Sequence, residues 1–270
     1  MKTYQPPNKH HFVPESYQKG FCNGNETLFL YKKRFNDIKE RKPAQVLYQL
    51  GLHTIQHAEE KSVLIETWLS QMEDAFGQYI RKIHQISDDS HLLDSALKDT
   101  NFIKIAKIML AIQYWRLPNR QLEVKTIGNQ LLQLYDNATD EVKDILGRDR
   151  KFIRSIKKRV ANTSARKIVQ FLLLPLLTFD ARSTGRNLTI LKAEPGSAYL
   201  TSDNPVICDN VEAFLRLENV IFPLSKNLLL VSGSKNEMMS TKEINQKIFQ
   251  SANEYIISST KEIIQNAKFN

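Results

Sequence analysis

The chain predicts an α-rich α+β fold: a central helical bundle with a small antiparallel β-sheet formed mainly by residues 187–232 and an N-terminal strand. Three observations carry that expectation. Apolar residues recur every three or four positions through the middle of the chain, short β-like runs follow Gly185, and helical spacing returns near Thr241. With 270 residues, 41% of them hydrophobic, the chain can bury a real core, and one domain over 1–270 is expected. Nine Gly, nine Pro and two Cys exclude collagen, low-complexity and disulfide-scaffold classes.

Residues 1–35 hold turn formers, a turn of helix at Pro14-Glu15-Ser16-Tyr17 and a strand over 27–31, after the Asn23-Gly24-Asn25 turn. A helical part spans 60–180. Its first helix, over 61–86, places Ile65, Trp68, Leu69, Met72, Phe76, Tyr79, Ile80 and Ile83 on one face. Asn101 is expected to cap a second helix over 102–116, apolar almost all round and hence central, which Pro118 ends. Helices over 119–136 and 139–146 follow, with Gly147 as a stop, and then a long one over 150–174. Strands at 188–191, 199–201, 206–208, 220–222 and 228–231 make up the sheet, and one helical block covers 241–267.

The first residues, Met1 to Pro7, lack an apolar segment, so no secretory signal and a cytoplasmic location are expected. Cys22 and Cys208 fit no metal or redox spacing and read as reduced thiols. The most apolar stretch, 168–179, falls short of the roughly 20 residues a bilayer needs, so no membrane partner is expected.

Formal net charge is +9, and its placement is uneven. Between 148 and 167 nine Lys and Arg stand against Asp149 alone. On a helix, Arg150, Arg154, Lys157 and Lys158 fall along one exposed face, with Lys151 beside them, while Phe152, Ile153, Ile156 and Val160 take the other. Such a stripe attracts phosphate backbones and releases their counterions; the plainer reading is a solvated face. RNA or DNA is the expected partner, with a protein partner also open.

The most unusual local string is Lys9-His-His-Phe-Val-Pro-Glu-Ser-Tyr17; later come Glu66 and Glu73, Gln113-Tyr-Trp-Arg116, and Thr201-Ser-Asp-Asn-Pro-Val206. In this order they resemble a bacterial domain-of-unknown-function family, number 4238, whose members look like Lys-x-His-x-Val-Pro-x-x-Tyr-Leu near the start and Ser-Asp-Asn-Pro near the end. The resemblance covers about residues 9 to 257. Gln18 departs from it, standing where the family has an apolar residue. No established reaction comes with the family, so the resemblance supports the positions and leaves the chemistry to be argued.

Taking Ile65 as zero at 100° per residue, Glu73 lies near about 80° and Glu66 near about 100°, at one border of the apolar face. Gln113 and Arg116 are one turn apart on the apolar helix, and a buried guanidinium needs a partner. Asp203 and Asn204 are the natural candidates. The plain reading is a structural Arg116–Asp203 bridge. The sharper one is a polar pocket in which His10, His11, Glu66, Gln113, Arg116, Asp203 and Asn204 converge. His53-Thr-Ile-Gln-His57 has the spacing of a helical metal pair but lacks the zinc-protease Glu, and is set aside.

The expected function is a phosphodiesterase or nuclease on RNA or DNA. His10 or His11 acts as base or metal ligand, Asp203 and Glu66 hold a divalent Mg or Mn ion, and Arg116 clamps phosphate. A metal-independent version uses His as acid and base. The rival is a non-catalytic nucleic-acid- or partner-binding component of a bacterial defence or toxin system. No Gly-rich phosphate loop or Walker lysine occurs, so no nucleotide cofactor is expected.

Overall fold

The computed structural model describes residues 9–57, 60–62, 64–178 and 188–268, so the readings made at Met1–Pro7 and Gly185 lie outside the described residues. The fold is helix-rich α+β with small antiparallel sheets. The N-terminal part runs β1 (Lys9–His11), α1 (Glu15–Gln18), β2 (Leu28–Lys32), β3 (Asp37–Arg41), β4 (Tyr48–Leu50), β5 (Ile55–His57) and β6 (Glu60–Ser62). Of these, β1 pairs with β4 and β5 with β6, four short strands that hydrophobic patterning does not reveal.

The helical part opens with α2 (Leu64–Ile86), which buries Ile65, Leu69, Phe76, Tyr79 and Ile83 as its periodicity requires. After α3 (Ser90–Lys98) comes α4 (Thr100–Trp115), capped by Asp99 rather than Asn101. Ten of its sixteen residues are buried, from Ile103 through Trp115, so it is the central helix. Trp115 Nε1 donates to Thr178 Oγ1 at 2.6 Å.

Two expected long helices are broken. The 119–136 stretch divides into α5 (Gln121–Gly128) and α6 (Leu131–Asn137). Beyond α7 (Asp140–Ile145), the 150–174 stretch divides into α8 (Arg150–Lys158), α9 (Thr163–Ile168), a π-helical turn (Val169–Leu173) and α10 (Leu174–Leu177). The second break has a local cause: Asn162 accepts from the amides of Ser164 and Ala165 and starts a new helix. Phe152, expected on the buried face of α8, is 40% exposed.

The C-terminal part holds β7 (Leu188–Lys192), β8 (Thr201–Ser202), α11 (Val211–Leu215), β9 (Ile221–Pro223), β10 (Leu228–Ser232), α12 (Ser234–Glu237), α13 (Thr241–Ser251), β11 (Tyr255–Ser258) and α14 (Lys261–Lys268). One sheet has the order β7-β10-β9 and another β3-β2-β11-β8. The N-terminal strand β2 thus belongs to a separate sheet from β7, β9 and β10. The block read as one helix over 241–267 contains an inner strand, β11, whose Ile256 and Ile257 are fully buried. The 206–208 run makes only a bridge between Ile207 and Ile221.

Strand β10 is buried throughout. Leu228 and Leu230 join the large cluster formed with the helices, and Leu229 and Val231 join a second cluster with α13 and α14. Side chains alternate across a strand, so one five-residue apolar run serves both clusters. Among the described residues no helix is long and apolar enough to cross a membrane. Cys22 and Cys208 are free thiols.

Candidate functional site

In β1 the pairing of His10 with Gln49 sends His10 inward, 1% exposed, and leaves His11 half-buried. The two imidazoles diverge because they alternate on a strand, whereas irregular backbone was expected. The amide of His53 donates to His10 Nδ1 at 2.9 Å. The His53 ring stacks on that of His10, 5.1 Å between centroids and 11° between planes, and meets Phe171 edge-on at 4.8 Å.

His53 Nδ1 lies 2.6 Å from Glu66 Oε2 on the first turn of α2. Burial drives His53 down to about 3, with the positive charge of Arg116 adding to it and Glu66 opposing. The ring is therefore neutral, and the contact is a neutral N–H donating to a carboxylate rather than an ion pair. Burial pushes Glu66 up, but the His53 bond and the charge of Arg116 outweigh it and hold the carboxyl below its usual range.

Two turns along the same face of α2, Glu73 accepts from Arg116 Nη1 at 2.6 Å. Arg116, at the end of α4, is 2% exposed and Glu73 22%. The expected Arg116–Asp203 bridge is replaced by this pair. Ser16 also donates to Glu73, at 3.4 Å. A cavity of about 20 Å³, room for roughly one water, is lined by Pro14, Ser16, Glu73, Phe76, Met109 and Gln113. Burial and the charges of Arg116 and Lys9 lower His11, against Glu15 and Glu73.

Within the described residues, no hydrogen bond reaches His53 Nε2, Arg116 Nε, Gln113 Oε1 or His11 Nε2, all buried atoms. Natural proteins leave few such groups, and these four fall in one region of the fold.

Asp203 and Asn204 are occupied differently. Both Asp203 oxygens accept backbone amides, from Asn253 at 2.8 Å, Glu254 at 2.7 Å and Tyr255 at 3.1 Å. Burial pushes this carboxyl up, against those amides and Lys33. Asn204 accepts from Arg120 at 2.8 Å and donates to the Ser251 carbonyl at 3.1 Å. The Ser-Asp-Asn-Pro string thus fastens β8 to the α13–β11 turn, and three backbone amides take up the Asp203 carboxylate that was expected to hold a metal.

Ligand atoms of His10, His53 and Glu66 lie within 4.8 Å of one another, which invites a metal. Two observations oppose joint ligation. Imidazole lone pairs lie in the ring plane, and stacked planes only 11° apart share no point near both rings. An N–H can only donate, so His10 Nδ1 keeps its lone pair for the His53 amide and the proton of the neutral ring sits on Nε2. The nitrogen-rich set also suits zinc better than the expected Mg or Mn.

These features define a helix-rich α+β protein with a buried imidazole–carboxylate pair beside a buried arginine. The family model described as "Protein of unknown function (DUF4238)" matches residues 9–262, and the chain belongs to that family. No curated protein and no solved structure matches the chain.

The structure joins His10 and Glu66 through His53 and gathers Arg116, Gln113 and His11 next to Glu73, while Asp203 and Asn204 have other partners. The spacing of His53 to His57 suggests a helix, which hides its role; it stands instead in the turn between β4 and β5. Its one sequence signal is a polar ring between Leu52 and Ile55, both buried.

Proposed function

We propose that the protein is a metal-independent phosphodiesterase acting on RNA or DNA. The carrying observation is His53: its Nδ1–H donates to Glu66, which leaves Nε2 a lone pair with no hydrogen bond, in a site that also holds a buried guanidinium. In this reading Nε2 accepts the proton of the attacking water and returns it to the departing ester oxygen as the P–O bond breaks, and Arg116 offsets the charge that gathers on phosphorus oxygens. A phosphodiester entering the site brings negative charge that raises the basicity of His53. Lys151, Arg154, Lys157 and Lys158 make no ion pair among the described residues and supply the backbone-binding stripe. Arg150 is spent on Asp136, at 2.7 and 2.8 Å. The free thiols Cys22 and Cys208 suit the cytoplasm as the working compartment.

The test is cleavage of single- and double-stranded RNA and DNA with and without chelator. Activity that survives chelator and disappears in folded His53→Ala and Glu66→Gln supports the reading, and full activity in His53→Ala sinks it. One observation favours the rival, a non-catalytic binding component of a defence or toxin system: His10 and His53 are 1% and 0% exposed, while Glu66 and Glu73 are partly open at 28% and 22%. Retardation of nucleic acid without any cleavage would support that rival.

A further inference from the structure

One short segment holds both halves of the candidate site. Lys167, in the last turn of α9, donates from Nζ to the carbonyls of Gly51 at 2.8 Å and Thr54 at 2.7 Å, one on each side of His53. Gln170, in the π turn, donates from Nε2 to the carbonyls of Trp115 and Leu117, both at 2.9 Å, one on each side of Arg116. Phe171 sets its ring against that of His53. Both polar side chains clamp backbone rather than the site's own side chains.

The π turn makes this double reach possible. An extra residue in a helical turn shifts the facing of every later residue in the helix, and π turns are rare and frequently sit at functional sites. Here it spans 169–173 and turns Gln170 toward the end of α4 while Phe171 meets the 51–54 turn. Gly51 has φ +64, a left-handed backbone that glycine adopts without steric cost. The Lys167 ammonium, with its two carbonyl acceptors, ties that turn to α9.

We infer that Lys167, Gln170 and Phe171 are positioning residues that set the orientation of His53 and Arg116 relative to each other. The inference rests on reading those two side chains as the working groups, and a spectroscopic readout beside the activity readout keeps the two claims apart. Lys167 is counted in the basic stretch by sequence but is withdrawn from any polyanion surface by this role.

The experiment uses the full chain as wild type, Lys167→Met, Lys167→Arg and Phe171→Leu. Nitrogen NMR of the His53 ring reports its tautomer and titration, and phosphodiester cleavage is measured on the same samples. In wild type the ring carries its proton on Nδ1. In Lys167→Met the two tautomers mix, the titration moves up toward the ordinary histidine range, and cleavage falls on the order of 100-fold, the effect of about 1 Å of misplacement. Lys167→Arg restores most of both. Phe171→Leu, which keeps apolar bulk, shifts the His53 signal even if Lys167→Met does not fold. An unchanged His53 signature in a folded Lys167→Met or in Phe171→Leu overturns the inference. A wild type that cleaves nothing while the signature shifts as described overturns the hydrolase reading alone.

Discussion

Tyr17 and Thr201 share a buried hydrogen bond of 2.9 Å across 184 positions of sequence. The Tyr17 hydroxyl gives its single proton to the Pro223 carbonyl at 2.6 Å, so Thr201 is the donor between the two. The Tyr17 ring stacks on Phe222, 5.6 Å between centroids. The N-terminal His-His-x-Val-Pro-x-x-Tyr string and Thr201, the residue just ahead of the Ser-Asp-Asn-Pro string, therefore meet through hydroxyls in the core. The imidazoles and carboxylate of the two strings keep separate partners.

Tyr17→Phe is expected to destabilise the protein by about 1–3 kcal/mol, because it leaves a buried carbonyl and a buried hydroxyl without partners. The His53–Glu66 pair does not involve this hydroxyl. Urea unfolding together with the His53 NMR signal checks both halves: stability falls and the ring signal stays.

Glu73 and Arg116 should couple strongly in a double-mutant cycle. Removing Glu73 strands a guanidinium that is 2% exposed, whereas removing Arg116 leaves a carboxylate that water reaches at 22% exposure. Glu73→Ala is expected to cost about 3 kcal/mol or more. Glu73→Ala combined with Arg116→Met should be less destabilised than the sum of the singles. Additive losses by chemical unfolding would show that the pair is not a unit.

The contrast between what was and was not legible has physical causes. Periodicity marked α2 and α4 because both bury a long apolar face, and short β-like runs between turn formers placed strands near 188 and 228. The inner strand Tyr255–Ser258 hid inside a helix-like block, since Ile256 and Ile257 suit either state and only pairing with β2 and β8 decides. The Gln18 departure is absorbed by a bond to the Val13 carbonyl at 2.8 Å. Of the site, the polar residues on regular elements, Glu66, Gln113 and Arg116, could be read from helix geometry. His53 could not, because a turn has no periodicity, and the clamps from Lys167 and Gln170 go to carbonyls, which no sequence pattern displays.

Stability should decline in mild acid through His53. The unfolded chain takes up this proton near the ordinary value of 6.5, while the folded ring resists until about 3. Between those values the unfolded state binds more protons, so stability rises with pH. The contribution is whole above about 6.5 and is lost as pH falls toward about 3. Glu66, also held low, adds the same sign at the acid end. His11 and His84 are lowered by burial as well, so the comparison is with His53→Asn. Urea midpoints in that variant should depend less on pH across this window; an equal dependence would mean that His53 is not the group responsible.

Asp203→Ala is expected to destabilise by about 3 kcal/mol, since a buried carboxylate that accepts three amides is removed and hydrogen bonds to charged groups are the stronger kind. Any phosphodiester cleavage per folded molecule should persist. A selective loss of cleavage with normal unfolding would give Asp203 a part in the chemistry.

Polyanion binding should rest on part of the basic helix only. Lys151, Arg154 and Lys158 are exposed and Lys157 half-buried on α8, whereas Arg150 is tied to Asp136 and Arg148 to Asp144. Arg150 thus has an acidic partner that these four cations lack among the described residues. Changing these four to Glu should abolish RNA or heparin binding at low salt, while circular dichroism and melting stay near wild type. Neutralising them to Gln should lower the slope of log affinity against log salt by about 3 to 4, at roughly 0.7 to 0.9 per lost phosphate contact. Arg150→Gln alone should leave that slope unchanged. An unaltered slope in the four-site Gln variant would mean that any polyanion meets another face of the protein.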